Sequence, residues 1–261
     1  MQQTLSVAII TRNEEENLPG TLASVHFADQ IVVLDSGSTD RTVEIARAAN
    51  AEVYEEPWAG FASAKNSAIA KCTGAWVLSL DADEELTPEL QIEIRTLLRS
   101  DPPVDAYFIR RRNVFLGRWI KHGGFYPDPK LRLFRHAGST APPQFEARPV
   151  HETIAFKGKA DTLQYDLIHH AYPTLENYIE HMNRYSTLGG EVLMSKGKVS
   201  RSWPAFVYSV VLVPKLTFVW NYFFRLGFMD GREGLLLHLY QAAYTSWKYA
   251  KAWDAARASK E

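Results

Sequence analysis

The sequence predicts an α/β fold built on a parallel sheet, and three observations predict it. Short runs of β-branched and aliphatic residues alternate with helical patterns through the first hundred residues. Helix start and stop signals separate these runs. Three of the runs end on polar residues, at Thr11, Asp35 and Asp81. Strand, helix, strand, helix is the order of parallel βαβ units, whose right-handed crossovers let ligands collect at the carboxyl ends of the strands.

Taken in order, residues 5–11 form the first strand. A helical stretch follows with Pro19 in its first turn, where a missing N–H does no harm. Residues 31–34 form a second strand ending at Asp35. Ser38, Thr39 and Asp40 then offer cap oxygens to a helix through Ala49. Residues 51–54 read as a third strand, 60–71 as a helix ended by Gly74, and 76–80 as a buried strand ending in Asp81. Thr87-Pro88 caps and opens a further helix. Residues 106–112 and 130–135 are strands flanking a Gly- and aromatic-rich loop, and a Pro-rich stretch continues to Pro149. This is an antiparallel extension of the sheet, and long loops in compact domains are often functional. The last third is helical. It holds 174–196 behind a Thr cap, an apolar, aromatic segment 205–226 interrupted at Pro214-Lys215, and a helix to about Trp253. The capping box Asp230-Gly231-Arg232-Glu233 opens that last helix. The organisation is an α/β domain over 1–170 and a helical region over 171–261.

With 261 residues, 46% apolar and 23% charged, the chain can build a sizeable core. The net charge of −1 conceals an asymmetry: −9 over residues 1–100, +2 over 101–195 and +6 over 196–261. The acidic front half argues against nucleic acid as a partner. The basic, aromatic tail suits an anionic membrane surface. A single cysteine, Cys72, excludes an intramolecular disulfide and reads as a small core residue. The first residues lack a basic segment followed by an apolar run, so the expected location is cytoplasmic.

Residues 205–226 approach the length of a membrane span but include Lys215, Asn221 and Arg225. A buried helix, a span and a helical hairpin lying in the interface all fit. The hairpin is favoured, anchored by Trp203, Trp220, Tyr222, Phe223, Phe224, Tyr240, Trp247 and Trp253.

The sharpest chemical element is Asp81-Ala82-Asp83. Residues two apart in an extended chain face one side, so Asp81 and Asp83 are expected to project two carboxylates into one space. Two such groups repel unless a cation joins them, and hard oxygen ligands select Mg²⁺ or Mn²⁺. Asp35 ends its strand before the helix cap, where a carboxylate can accept hydrogen bonds from a base or ribose. Thr11, Asn13 and Glu14 supply further polar groups at the first strand end. Lys65 and Asn66 project from a helix of small residues. His151 and Glu152 follow the Pro-rich loop as a candidate metal or phosphate ligand and general base, with Asp128 as rival base. Lys130, Arg132 and Arg135 offer cations for a diphosphate, which Arg can grip in bidentate fashion.

These residues resemble the family-2 glycosyltransferases of the GT-A fold, a Rossmann-like mixed sheet that binds nucleotide-diphospho-sugars. Four segments carry the likeness in order: Ser6-Val7-Ala8-Ile9-Ile10-Thr11-Arg12-Asn13-Glu14-Glu15, Val32-Val33-Leu34-Asp35-Ser36-Gly37-Ser38-Thr39-Asp40-Arg41-Thr42, Ala64-Lys65-Asn66, and Asp81-Ala82-Asp83-Glu84. The remainder, with Val150-His151-Glu152 and Gly227-Phe228-Met229-Asp230-Gly231, resembles the lipopolysaccharide-core subgroup (WaaE/KdtX-like). The resemblance implies a UDP-sugar donor, with nucleotide binding in 1–100 and acceptor binding in 101–170. It implies that Asp35 holds uracil, with Ser36 and Gly37 beside it. It places Asp81 on ribose or metal with Ala82 alongside, Asp83 on a divalent metal, and Glu152 as base. The subgroup implies transfer of a hexose, glucose in the first instance, to heptose of the lipopolysaccharide inner core at the cytoplasmic membrane face.

The expected reaction is a single in-line displacement with inversion. Two other readings stand beside it. A metal-dependent nucleotidyltransferase would carry a Gly-rich basic loop after the first strand, whereas Arg12-Asn13-Glu14-Glu15-Glu16 is acidic and Gly-free. A membrane-surface scaffold would leave the strand-end aspartates without a purpose.

Overall fold

The computed structural model describes residues 2–136, 143–147 and 153–258. The chain divides into two units, Met1–Arg112 with Asp128–His170, and Asn113–Pro127 with Ala171–Glu261.

In the first unit, strands β1 (Leu5–Thr11), β2 (Gln30–Asp35), β3 (Glu52–Glu55) and β4 (Trp76–Asp81) run parallel. Helices α1 (Leu18–Ser24), α2 (Thr42–Ala48) and α3 (Phe61–Ala70) connect them. Then come β5 (Glu84–Leu86), α4 (Pro88–Leu97), β6 (Ala106–Phe115), β7 (Arg118–Trp119), which belongs to the second unit, and β8 (Pro129–Arg135). The short pair β9 (Gln144–Glu146) and β10 (Thr153–Ala155) precedes the long β11 (Ala160–Tyr172). The sheet order is β3-β2-β1-β4-β8-β6-β11-β5, with β7 on the end of β6. β4 pairs with β8, β8 with β6, and β5 with β11, all antiparallel, so the sheet is mixed.

The continuous apolar run of β1 follows from burial on both faces. Leu5, Val7 and Ile9 enter one core with Leu18, Leu22, Leu90 and Ile94. Ala8 and Ile10 enter the other with Ala64, Ala68 and Ile69 of α3. Cys72 lies in this second core, where burial pushes its thiol up to about 12. Register then sets the site. Thr11 pairs with Asp35 and Ile10 with Asp81, so three strand ends finish at one level.

The second unit contains α5 (Leu175–Ser195), α6 (Trp203–Val207), α7 (Val213–Val219) and α8 (Gly231–Ala258). Residues 113–127 belong with these helices rather than with the α/β unit. Phe115 and Ile120 pack with Tyr178 and Leu237, and Phe125 and Tyr240 lie against them. Aromatic side chains in that loop find their apolar partners on the helices.

Four features differ from the sequence reading. Strands β5, β7, β9, β10 and β11 were not foreseen. In β11 the polar residues Asp161, Gln164, Asp166, His169 and His170 interrupt any apolar alternation, and strand pairing holds it. Pro214 does not interrupt the helix. A π turn over Tyr208–Leu212 precedes it, Pro214 sits in the first turn of α7, and a second π turn follows over Trp220–Phe224. The wider turn accommodates the missing N–H. Asp230 does not cap α8. It ends a 3₁₀ turn (Gly227–Asp230), and its carboxylate accepts from the Lys121 and His122 N–H groups at 3.2 and 2.8 Å. Likewise α2 starts after Arg41 without a side-chain cap; Ser38 and Thr39 are bonded to Asn13 instead, while Asp40 accepts from the Thr42 N–H at 3.0 Å.

Candidate active site

The loops after β1 and β2 are clamped together. Asn13 adopts a left-handed backbone at φ 56°, receives Thr39 N–H on its side-chain oxygen at 2.8 Å, and donates its own N–H to Ser38 Oγ at 2.8 Å. Glu14 N–H reaches Thr42 Oγ1 at 2.8 Å. Gly37 takes φ +85°, a conformation that side chains with a Cβ resist. Its N–H and that of Ser38 both point at Asp35 Oδ2, at 2.9 and 2.8 Å. Asp35 Oδ1 accepts from Thr11 Oγ1 at 3.0 Å and from Ser38 Oγ. The buried Asp35 carboxylate therefore accepts four hydrogen bonds from its own loops. These bonds hold the carboxylate in place, and it shapes the loop that a base would meet. Ser36 is buried, with its N–H on Thr11 O at 3.0 Å.

At the end of β4 the chain turns between the two aspartates. The strand stops at Asp81, Ala82 and Asp83 form a turn, and the two-residue rule for extended chain no longer applies. Asp81 receives Lys65 Nζ at 2.8 Å and Arg132 Nη2 at 2.8 Å. Lys65 and Arg132 are only 2% and 4% exposed. Burial alone would raise the Asp81 carboxyl, but these two cations outweigh it and hold it far below the usual carboxylate range. Asp81 is thus a counter-ion for buried cations, and its own side chain stays 27% exposed. Ala82 is buried, and its carbonyl accepts from Thr21 Oγ1 at 2.6 Å.

Asp83 turns toward β11, where His169 Nε2 lies 3.3 Å from its Oδ2. The carboxyl of Asp83 is lowered: burial opposes ionisation, and the neighbouring His169 outweighs it. Among the described residues no set of three or more His, Cys, Asp or Glu converges as a metal cage. The pair Asp83 and His169 offers one carboxylate oxygen and one imidazole nitrogen. That donor set suits a divalent ion that keeps open positions for phosphate oxygens and water.

Glu14 faces the same acidic pocket. Burial raises its carboxyl from 4.5 to about 7, with Asp83, Asp40 and Asp81 adding repulsion against the hydrogen bond from Asn17. Such a group contributes its full stability below pH 4.5 and loses it as pH rises through 7. Glu14→Gln is therefore expected to leave stability unchanged at pH 4 and to raise it at pH 8 by on the order of 1–3 kcal/mol. Urea unfolding of both proteins at the two pH values checks this, and equal midpoints at pH 8 would refute it.

Behind Asp81 lies a buried ion network. Glu84, with a fully buried side chain, accepts from Arg132 Nη2, from Arg111 Nη1 at 3.3 Å and from the Asp81 N–H at 3.0 Å. Arg111 also binds Asp128 at 2.6 Å, and Asp128 receives Lys130 Nζ at 3.0 Å. Asp128 is a poor base in this setting: burial would raise it, yet Arg111 and Lys130 hold it below its ordinary value. Arg132 is a buried structural cation rather than an open diphosphate grip, since its Nη2 is directed at Asp81 and Glu84.

Two expected contacts are displaced from the site. Arg135 pairs with Asp101 at 2.8 Å and lies over Trp76 at 5.0 Å. Trp76 begins β4 and is opposite Arg135, which puts this arginine at the far end of the strand from Asp81, about 16 Å along it. Asn66 binds the backbone of Phe145 with both ends of its amide, at 2.8 Å each, and so tethers β9 to α3. His151 and Glu152 lie outside the described residues.

Sequence reasoning missed Glu84, Arg111 and His169 as site residues. Glu84 follows the aspartate pair directly and could have been included on that ground. Nothing local marks Arg111 or His169, because each arrives through antiparallel pairing of a distant strand.

A mixed sheet with acidic and basic groups gathered at the carboxyl ends of its parallel strands is the arrangement of the GT-A fold class. Residues 6–151 match the Glycosyl transferase family 2 profile, and the chain belongs to that family. It is 28% identical over 234 residues to the lipopolysaccharide core biosynthesis glycosyltransferase LpsC of Rhizobium meliloti, spanning 87% of this chain and 82% of LpsC. The mannosyltransferase PcManGT of Pyrobaculum calidifontis, solved with GDP-Man and Mn²⁺, matches 97% of this chain and 88% of its own at TM-score 0.55 and 16% identity, which shows a common fold. Glucosyl-3-phosphoglycerate synthase of Mycobacterium tuberculosis, solved with Mg²⁺ and UDP, matches 42% of this chain at 26% identity and TM-score 0.37. The chain covers less than half of that synthase, 44%. Family membership makes the chain a glycosyltransferase and sets aside the nucleotidyltransferase and scaffold readings.

Proposed function

We propose that this enzyme transfers a hexose, glucose, from UDP to heptose of the lipopolysaccharide inner core, with inversion, while held peripherally at the cytoplasmic face of the membrane. The observation that carries it is the turn at the end of β4, which aims Asp83 at His169 while Lys65 and Arg132 neutralise Asp81. The likeness to LpsC supports the lipopolysaccharide acceptor. The nucleotide lies against residues 1–100 and the acceptor against 101–170. Thr11, Glu14, Asn13 and Gly37 line the loops that receive the base and ribose.

Asp83, with His169 beside it, would hold Mg²⁺ or Mn²⁺, and Asp81 and His151 are the further candidates for that ion. When bound, the ion neutralises charge growing on the departing diphosphate. Lys130, half exposed at the start of β8, adds a cation there. Asp81 and the buried cations around it keep the turn in place. Glu152 accepts the proton of the acceptor hydroxyl as that oxygen bonds to the anomeric carbon and the carbon–UDP bond breaks. One displacement converts an α-linked donor into a β-linked product.

The test is turnover of UDP-glucose, UDP-galactose and GDP-mannose on a heptose-terminated core acceptor, with Mn²⁺ and with EDTA. The expected result is a β-glucoside from UDP-glucose that disappears with EDTA. An α-linked product, or turnover undiminished by EDTA, would overturn the inverting or the metal assignment respectively.

A further inference from the structure

The second unit carries a large apolar surface that no part of the chain described with it covers. Residues Trp203–Phe224 form a helix long and apolar enough to cross a membrane. Ser209, Pro214 and Asn221 face inward. Asn221 Nδ2 reaches Gln241 Oε1 of α8 at 3.1 Å, and Ser246 Oγ of α8 donates to Val210 O at 2.8 Å. The other face exposes Trp203 (75%), Leu216 (59%), Trp220 (56%) and Phe224 (69%), and the following turn adds Phe228 and Met229. Monomeric soluble proteins seldom leave so contiguous an apolar patch uncovered.

Charge identifies what covers it. Residues 196–229 contain five basic side chains, Lys196, Lys198, Arg201, Lys215 and Arg225, and no acidic one. A second copy of the chain would bring the same positive charge to the same patch. An anionic lipid surface is its complement, attracting basic groups while apolar and aromatic side chains enter the acyl boundary.

Lys215 decides the orientation. It is exposed beside Leu216, near the middle of the helix. In a span of about 33 Å it would lie near the bilayer centre, where a charge is costly. In a helix lying flat it extends sideways to the headgroups.

We propose that the outward stripe of the Trp203–Phe224 helix, with Phe228 and Met229, embeds in the interface of an anionic bilayer while the helix lies in the membrane plane on α8. Of the aromatic anchors expected from sequence, Trp203, Trp220, Phe223 and Phe224 take part. Those four are exposed, whereas Tyr222, Tyr240, Trp247 and Trp253 are half-buried. The inference deepens the peripheral-membrane part of the proposed function and rests on that part, not on the donor chemistry.

The experiment is flotation of the full chain with phosphatidylethanolamine–phosphatidylglycerol vesicles and with phosphatidylcholine vesicles. Expected is at least about tenfold stronger partition onto the anionic vesicles, weakening with salt. The double variant Phe223→Glu/Phe224→Glu should lose at least about tenfold in partition. It should keep its thermal midpoint and its hydrolysis of UDP-glucose. Lys215→Glu should lose about fivefold or more. A nitroxide on Leu216→Cys should sit at the boundary of headgroups and acyl chains, Cys72 being buried. No flotation, flotation unaffected by the double variant, or a label at the bilayer centre overturns the proposal. A dimer in sedimentation velocity that the double variant dissolves, without vesicle binding, overturns it in favour of self-association. Specific flotation of a protein that turns over no nucleotide-sugar supports the docking surface and counts against the catalytic reading alone.

Discussion

Asp83→Ala is expected to lower transfer by at least about a thousandfold while leaving the fold intact. Asp83 lies in a turn rather than in the buried network, and its removal relieves repulsion on Glu14. The variant loses a half-buried carboxylate and its contact with His169, so it should unfold within about 2 kcal/mol of the parent. It should also lose Mn²⁺ affinity in calorimetric titration with UDP present. His169→Ala should weaken Mn²⁺ affinity in the same direction. Asp81→Ala makes the contrast. It strands Lys65 and Arg132 without their counter-charge, so stability and activity should fall together. Parental activity of Asp83→Ala in metal-stripped buffer, or Mn²⁺ affinity lost only in Asp81→Ala, would return the metal role to another residue.

Glu84→Ala is expected to destabilise the protein by about 3–5 kcal/mol, the range for breaking a buried ion pair by removing one partner. Glu84 balances Arg132 and Arg111 and fixes the Asp81 N–H, so three groups lose their acceptor together. Glu84→Gln retains the shape and one acceptor oxygen, and should cost less than the alanine variant. Urea unfolding measures both. A loss under 1 kcal/mol for Glu84→Ala would show that Arg111 and Arg132 find compensation elsewhere, for instance through Asp128 and Asp81.

Much of the catalytic geography was legible because it is local. A carboxylate at a strand end is visible wherever an apolar run stops, and parallel register then brings Thr11, Asp35 and Asp81 to one level. What the side chains do once there was less legible. Asp35 reads as a ligand group, and only the structure shows Thr11, Gly37 and Ser38 bonded to its oxygens. Asp81 and Asp83 read as a pair, and only the structure shows the chain turning between them and Lys65 and Arg132 bound to the first. Arg135 and Arg132 are three residues apart in one strand, yet one pairs with Asp101 and the other with Asp81.

The sequence by itself determined the α/β class, the parallel order of the first strands, the acidic strand ends and the basic, aromatic tail. Each depends on spacing within one segment: alternation, capping and the residue that follows an apolar run. Only the tertiary structure decided the partners. Arg132 comes from an antiparallel strand inserted beside β4, His169 from the long polar β11, and the outward face of the Trp203–Phe224 helix is defined by what α8 covers. The physical reason is that charge pairing and burial depend on distance in space, and residues 81 and 132, or 83 and 169, become neighbours only when the sheet has formed.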